Sequence, residues 1–192
     1  MAHPVQQEWC ESVKTQHPHY FSKKRVLDVG SLDINGNNRR LFSNACDYIG
    51  LDVVPGKNVD VIGIAHEYIS KIMKYYTKLP DNFDTDTLFD VVLSTNALEH
   101  DMYWQKTLKS MFAVLKPFGL MFFSVANSWP EHGTKRTTPS DSGTTQMGQV
   151  WENYYYNLQP VDIEKTLDLE QFYRYNLSIF QNDLRFWGIK KG

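Results

Sequence analysis

Val26-Leu27-Asp28-Val29-Gly30-Ser31-Leu32-Asp33-Ile34-Asn35-Gly36 begins as an apolar strand, 25–30, and breaks into a polar turn. Glycine at the end of a strand lets a ligand approach the backbone closely, because no Cβ stands in the way. A tight turn in any α/β protein has the same pattern, so the neighbouring segments decide the reading.

Downstream, 48–52 is a second short apolar run that ends in the carboxylate of Asp52, 22 residues beyond Gly30. Residues 59–63 read as a third strand and 67–76 as a helix; an Asp/Thr-rich loop then leads to a fourth strand, 89–94. Its Val91-Val92-Leu93 run does not alternate, as expected of a parallel-sheet strand covered on both faces. From Asp101, an N-cap candidate, Trp104, Leu108, Met111, Phe112 and Leu115 recur at helical spacing. Lys116-Pro117-Phe118-Gly119 then stops the helix, and 120–125 is a fifth strand.

The flanks are less regular. Residues 1–24, with a helix or turn at 13–21, read as an N-terminal lid. Residues 131–149 hold 11 Gly, Ser, Thr or Pro among 19, which predicts a long loop within 127–150. Residues 151–173 look helical in pieces broken at Pro160, and 177–180 with 184–189 flank a hairpin turn in the last segment, 151–192. The whole predicts one α/β domain over 1–192 with its cofactor-binding core at 25–126. The expected fold is a Rossmann-like, doubly wound sheet, mostly parallel, with a C-terminal antiparallel hairpin.

Composition narrows the function. Twenty basic against 22 acidic residues give a net charge of -2, without the basic excess that drives binding to phosphate backbones, so nucleic acid is not the expected partner. The longest apolar run, 119–126, is too short to cross a bilayer, and no export signal opens the chain. Cys10 and Cys46, the latter read as a small core residue, form no C-x-x-C pair. A soluble protein of the reducing cytoplasm is expected. His17-Pro18-His19 lacks further ligands at metal-site spacing, so no metal is expected.

Asp52 at the end of the second strand is placed to accept hydrogen bonds from the two hydroxyls of a ribose, which points to a nucleoside-type cofactor. Nicotinamide enzymes keep G-x-G-x-x-G to seat a pyrophosphate, whereas Leu32 stands where the second glycine would be. That counts against a dinucleotide.

These segments resemble class I S-adenosylmethionine (SAM)-dependent methyltransferases of the broad methyltransferase-domain type, over roughly 25–125. Residues 26–30 resemble the family's first motif, 48–52 its ribose-binding second, and 89–94 its fourth-strand motif. Leu98-Glu99-His100 and the turn at 115–120 agree with it. The resemblance implies SAM as cofactor, with Asp28 and Gly30 facing its methionine part, Asp52 holding its ribose, and Ser31 and Val53 as further cofactor contacts. It further implies that Ala65 and His66 border adenine and that Ser94 and Asn96 lie beside the cofactor. Ile64 departs from the pattern, since many relatives have an acidic group there.

Methyl transfer from a sulfonium is an in-line displacement that needs mainly alignment, and a base is optional. His100, just beyond the fourth strand, is the first candidate base and His132 the second; the competing reading of both is an ordinary surface histidine. Trp151, Tyr154, Tyr155 and Tyr156 either close over an acceptor or simply pack. Ser94-Thr95-Asn96-Ala97 stands where base-methylating relatives carry Asn/Asp-Pro-Pro-aromatic, which with the charge favours a small-molecule acceptor. Two alternatives remain: a SAM- or SAH-binding (S-adenosylhomocysteine) interaction protein without turnover, and a nicotinamide oxidoreductase.

Overall fold

The computed structural model describes residues 3–42, 44–76 and 88–192; the Asp/Thr-rich loop expected before the fourth strand lies mostly outside them. Five parallel strands, β1 (Arg25–Val29), β2 (Asp47–Asp52), β3 (Val61–Ile62), β4 (Phe89–Thr95) and β5 (Leu115–Ala126), form most of one sheet. The hairpin of β6 (Phe172–Phe180) and β7 (Asp183–Lys190) joins it antiparallel to β5, giving the order β3-β2-β1-β4-β5-β7-β6.

Side chains alternate across a strand, so a run without polar residues feeds two cores. Leu27 and Val92 face one core with α2 (Ala65–Tyr76), α3 (Trp104–Ala113) and α4 (Pro160–Thr166), which contribute Ile69, Leu108 and Ile163. Val26, Val91 and Leu93 face the other, against Cys10 and Val13 of α1 (Pro4–Gln16). Between β1 and β2 the described chain makes only a 3-10 turn, Arg39–Phe42, where Phe42 stacks on Phe21 at 4.6 Å to cover that face beside α1. The described part of the expected lid, 3–24, is thus a layer of the core, and its helix starts nine residues earlier than the expected 13–21 (13 − 4 = 9).

Three further segments differ from expectation. Pro160 starts α4 instead of breaking a helix: its missing N–H is harmless in the first turn, and Asp162 Oδ2 accepts from the Gln159 amide at 2.8 Å. Lys116 to Gly119 bulge inside β5, between the Phe89–Leu115 and Val91–Leu120 pairings, so the strand begins before the expected 120. Cys46 is exposed, because it precedes β2 on the surface instead of entering it.

Order reverses at β1, which lies between β2 and β4. In doubly wound sheets the crevice for a ligand opens at that point, outside the carboxyl ends of the strands.

Candidate functional site

The turn after β1 is locked to the end of β2. Leu51 O accepts from the Gly30 amide at 2.8 Å and the Ser31 amide at 3.2 Å, and Asp52 Oδ2 accepts from the Leu32 amide at 3.0 Å. Gly30 has φ +78°, and a Cβ there would sit 2.2 Å from Ala97 Cβ, so the turn requires glycine on both conformational and steric grounds. Asp28 below it is buried; its Oδ2 accepts from the Tyr48 hydroxyl at 2.6 Å while Oδ1 has no partner. Burial pushes its carboxyl up to about 7, against the pull of the Tyr48 hydrogen bond. Burial also raises Asp52, opposed by the amides of Leu32, Val53 and Val54.

These groups line a cleft of about 880 Å³, open to solvent at its mouth. Of the expected cofactor residues, Asp28, Gly30, Ser31, Asp52, Val53, Ala65, Ser94 and Asn96 line it, together with Ile64. His66 is not among the lining residues; its ring lies 5.0 Å from Tyr103. Ser94 Oγ is buried without a partner. The 131–149 segment is shaped by two 3-10 turns, Pro139–Asp141 and Gly143–Gln146, and lays Ser142, Gly143 and Thr144 against the cleft. A Cβ on Gly143 would come within 3.2 Å of Asp52 Oδ1 and 2.5 Å of Val54, so only glycine lets this segment press on the end of β2. Trp151 joins the wall, while Asp101 both lines it and accepts from the Tyr103 amide at 2.8 Å at the start of α3.

A second cavity, of about 650 Å³ and open to solvent, is lined by His3, Asn96, Trp129, Pro130, Glu131 and His132. Asn96 belongs to both cavities, and its Oδ1 accepts from Ser124 Oγ at 2.6 Å. His100 lines the first, His132 the second, and their rings are 5.3 Å apart, with Tyr155 at 5.5 and 5.0 Å. Burial holds His100 well below its ordinary pKa, and lowers His132 against the hydrogen-bonding pull of Pro130 O. Both imidazoles are neutral at pH 7 and able to accept a proton.

Two buried acids lie close by. Glu99 is fully buried with neither oxygen partnered, and burial pushes it up to about 7. Asp183 would be raised by its burial, but the neighbouring His3, Trp129 and Arg185 hold it below the usual range. Its Oδ1 accepts from Trp129 Nε1 at 2.8 Å, and Oδ2 lies 2.9 Å from His3 Nε2. Neither acid, nor Trp129, nor the 142–144 wall follows from local sequence pattern; only the glycines and prolines around them marked the loop.

The architecture fits a nucleoside with a charged tail: an unpartnered carboxylate oxygen at Asp28, a second carboxylate at the end of β2, and apolar Ile64 and Ala65 beyond it. The family described as "Methyltransferase domain" matches residues 1–164. Among proteins of curated function none matches the sequence. A SAM-dependent methyltransferase from Archaeoglobus fulgidus is similar in structure, with TM-score 0.58 and 14% identity over 96% of this chain and 94% of that one. The 1,6-didemethyltoxoflavin-N1-methyltransferase of Burkholderia thailandensis, solved with SAH, superposes at TM-score 0.55 and 14% identity over 97% and 79%. An N-methyltransferase from Bradyrhizobium japonicum does so at 0.55 and 13% over 98% of each. At such identities these likenesses concern the fold.

Proposed function

Because the chain belongs to the methyltransferase-domain family, and is thus a SAM-dependent methyltransferase, we propose that its acceptor is a small molecule with an oxygen or nitrogen nucleophile. The observation that carries this reading is the meeting of two cavities at Asn96, one walled by the ends of β1, β2 and β4 and the other flanked by His132 and Trp129. A bound SAM supplies a methyl group on a sulfonium, whose good leaving group makes the transfer an alignment problem.

The chain's own residues divide the task. Asp28 Oδ1 accepts hydrogen bonds from a charged amino group, Asp52 from ribose hydroxyls, and Ile64 and Ala65 meet the apolar face of adenine. Gly30, Ser31, Val53 and Ser94 shape the walls, and Asn96 sits at the boundary where the acceptor arrives. His100 and His132, neutral at pH 7, take the acceptor's proton. The net charge of -2 favours a small molecule over a nucleic acid. The substrate that names the Burkholderia neighbour is also small and nitrogenous. Two unpaired cysteines, Cys10 and Cys46, support the cytoplasm as its compartment. Among the described residues no helix is long and apolar enough to cross a membrane.

The test is calorimetry with SAM, SAH and NAD, followed by screening small metabolites for uptake of a labelled methyl group. Binding of SAM and SAH but not NAD, with label appearing in a small acceptor, is the expected result. Label entering only RNA, DNA or protein would overturn the acceptor class.

A further inference from the structure

Glu99 and His100 lie in the 3-10 turn Leu98–His100 after β4, and His132 lies in the loop after β5. One ligand atom from each lies within 4.8 Å of the other two. Both Glu99 oxygens and both His100 nitrogens are buried without hydrogen-bond partners, on residues only 0% and 2% exposed. Each unmet buried polar group costs about 1–3 kcal/mol, so this cluster is stabilised by whatever satisfies it. His132 Nδ1 is 3.0 Å from Pro130 O, which assigns the proton to Nδ1 and leaves Nε2 free. Metal-bound histidines are oriented in this same way, by a hydrogen bond from the nitrogen that does not ligate.

We propose that Glu99, His100 and His132 bind one divalent first-row transition-metal ion, of the zinc, cobalt, iron or manganese class, at the boundary between the two cavities. Two imidazoles and one carboxylate form a donor set of intermediate softness that magnesium and calcium, which prefer oxygen, do not favour. Bonds of about 2.0–2.2 Å require the donors to draw closer together than the 4.8 Å within which they stand, so the three side chains close on the ion as it binds. Three protein ligands leave a position open toward the second cavity, where an acceptor hydroxyl completes the shell and keeps a lone pair for attack on the methyl group. A coordinated hydroxyl gives up its proton more readily; that proton passes to water in the open second cavity, and the imidazoles serve as ligands in place of bases. That last role rests on the methyl-transfer reading, whereas the ion site does not.

The experiment uses the full chain, stripped with EDTA and desalted, then titrated with Co2+ followed by visible absorption and with Zn2+ followed by calorimetry. SAH is titrated in parallel. The expected result is one ion per chain, with affinity at least about 10-fold weaker in Glu99→Gln and in His132→Ala, and unchanged SAH affinity in His132→Ala. The Gln variant keeps the buried shape, and His132 lies in a partly exposed loop, so folded protein is retained in at least one. Failure to take up an ion, or uptake unaltered in both variants, would overturn the site. Ion uptake with no SAH binding upholds the site and sinks the methyl-transfer reading instead. Ion uptake with turnover indifferent to stripping upholds the site and removes its role toward the acceptor.

Discussion

The two halves of the cleft are built by different means. On the cofactor side, Asp28, Gly30 and Asp52 come from the ends of two adjacent strands, and backbone hydrogen bonds from Gly30, Ser31 and Leu32 to Leu51 and Asp52 tie them together. On the acceptor side, Glu99, His100, Trp129, His132 and Asp183 arrive from three separated stretches of chain; the β5–β7 ladder and Asn182 O anchor the backbone of the last two, but the functional groups meet only through side-chain contacts. Backbone-built walls are fixed by the fold itself, whereas side-chain-built walls vary without disturbing the sheet. Cofactor geometry and acceptor choice are therefore separable, and each variant below should move one side and spare the other.

The largest effect belongs to Asp28. Its folded carboxyl is pushed up to about 7 from 3.8 by burial, so between those values the folded chain holds a proton that the unfolded chain has released. Its stability contribution is complete below about pH 4 and is lost as pH rises through about 7, a fall on the order of 4 kcal/mol. Urea unfolding of the cofactor-free protein across that range should show the decline, and Asp28→Asn should reduce it, leaving the share that Glu99, also pushed up to about 7 by burial, contributes. A wild-type profile level over the same window would show that the cofactor wall is not held by a neutral acid. Next comes Gly30→Ala, which meets Ala97 Cβ at 2.2 Å with φ at +78°. Strain and overpacking together predict a loss of about 2–4 kcal/mol in stability, with SAH affinity falling too. Normal stability and binding in this variant would mean the turn has slack that its geometry denies.

Much of this cofactor side was legible in the sequence, because each part is written in contiguous residues. The Val26 to Gly30 run, the carboxylate at 52 and the unalternating Val91-Val92-Leu93 expressed the parallel sheet and its switch point directly. Local pattern failed where long-range packing decides. The start of α1 was missed because its buried face, Cys10 and Val13, holds only two of its apolar residues amid polar ones. Pro160 was read as a break because its position within a helix depends on the cap before it. Within Leu98-Glu99-His100 nothing local marks Glu99 as buried; only the fold shows that it is, beside a histidine that follows it by 33 positions (132 − 99 = 33). The 131–149 loop was foreseen as a loop, but its pressure on Asp52 through Gly143 was not, since no spacing rule links residue 143 to residue 52.

Asp52→Ala gives a smaller effect, read in cofactor binding. It removes a carboxylate that holds the Leu32 and Val53 amides and is proposed to hold the ribose. Cofactor affinity should weaken by about 1.5–3 kcal/mol, the worth of a hydrogen bond to a charged group. Calorimetry with SAH measures it, and a folded variant that binds as tightly as the wild type would move the ribose away from β2.

The smallest effect probes the other side. Trp129→Phe keeps an aromatic ring in the second cavity but deletes the Nε1 donor that lies 2.8 Å from Asp183 Oδ1. Asp183 retains His3 at 2.9 Å and Arg185 at 3.6 Å, so the acid is not left bare and the stability loss should be only about 1 kcal/mol. SAH affinity should stay unchanged, because no cofactor-cleft wall includes Trp129. The Michaelis constant for the acceptor should rise, because the ring is released to tilt within the cavity it lines. If SAH binding fell as far as acceptor binding, the two sides would be one mechanical unit, and the division between backbone-built and side-chain-built walls would not separate cofactor from acceptor.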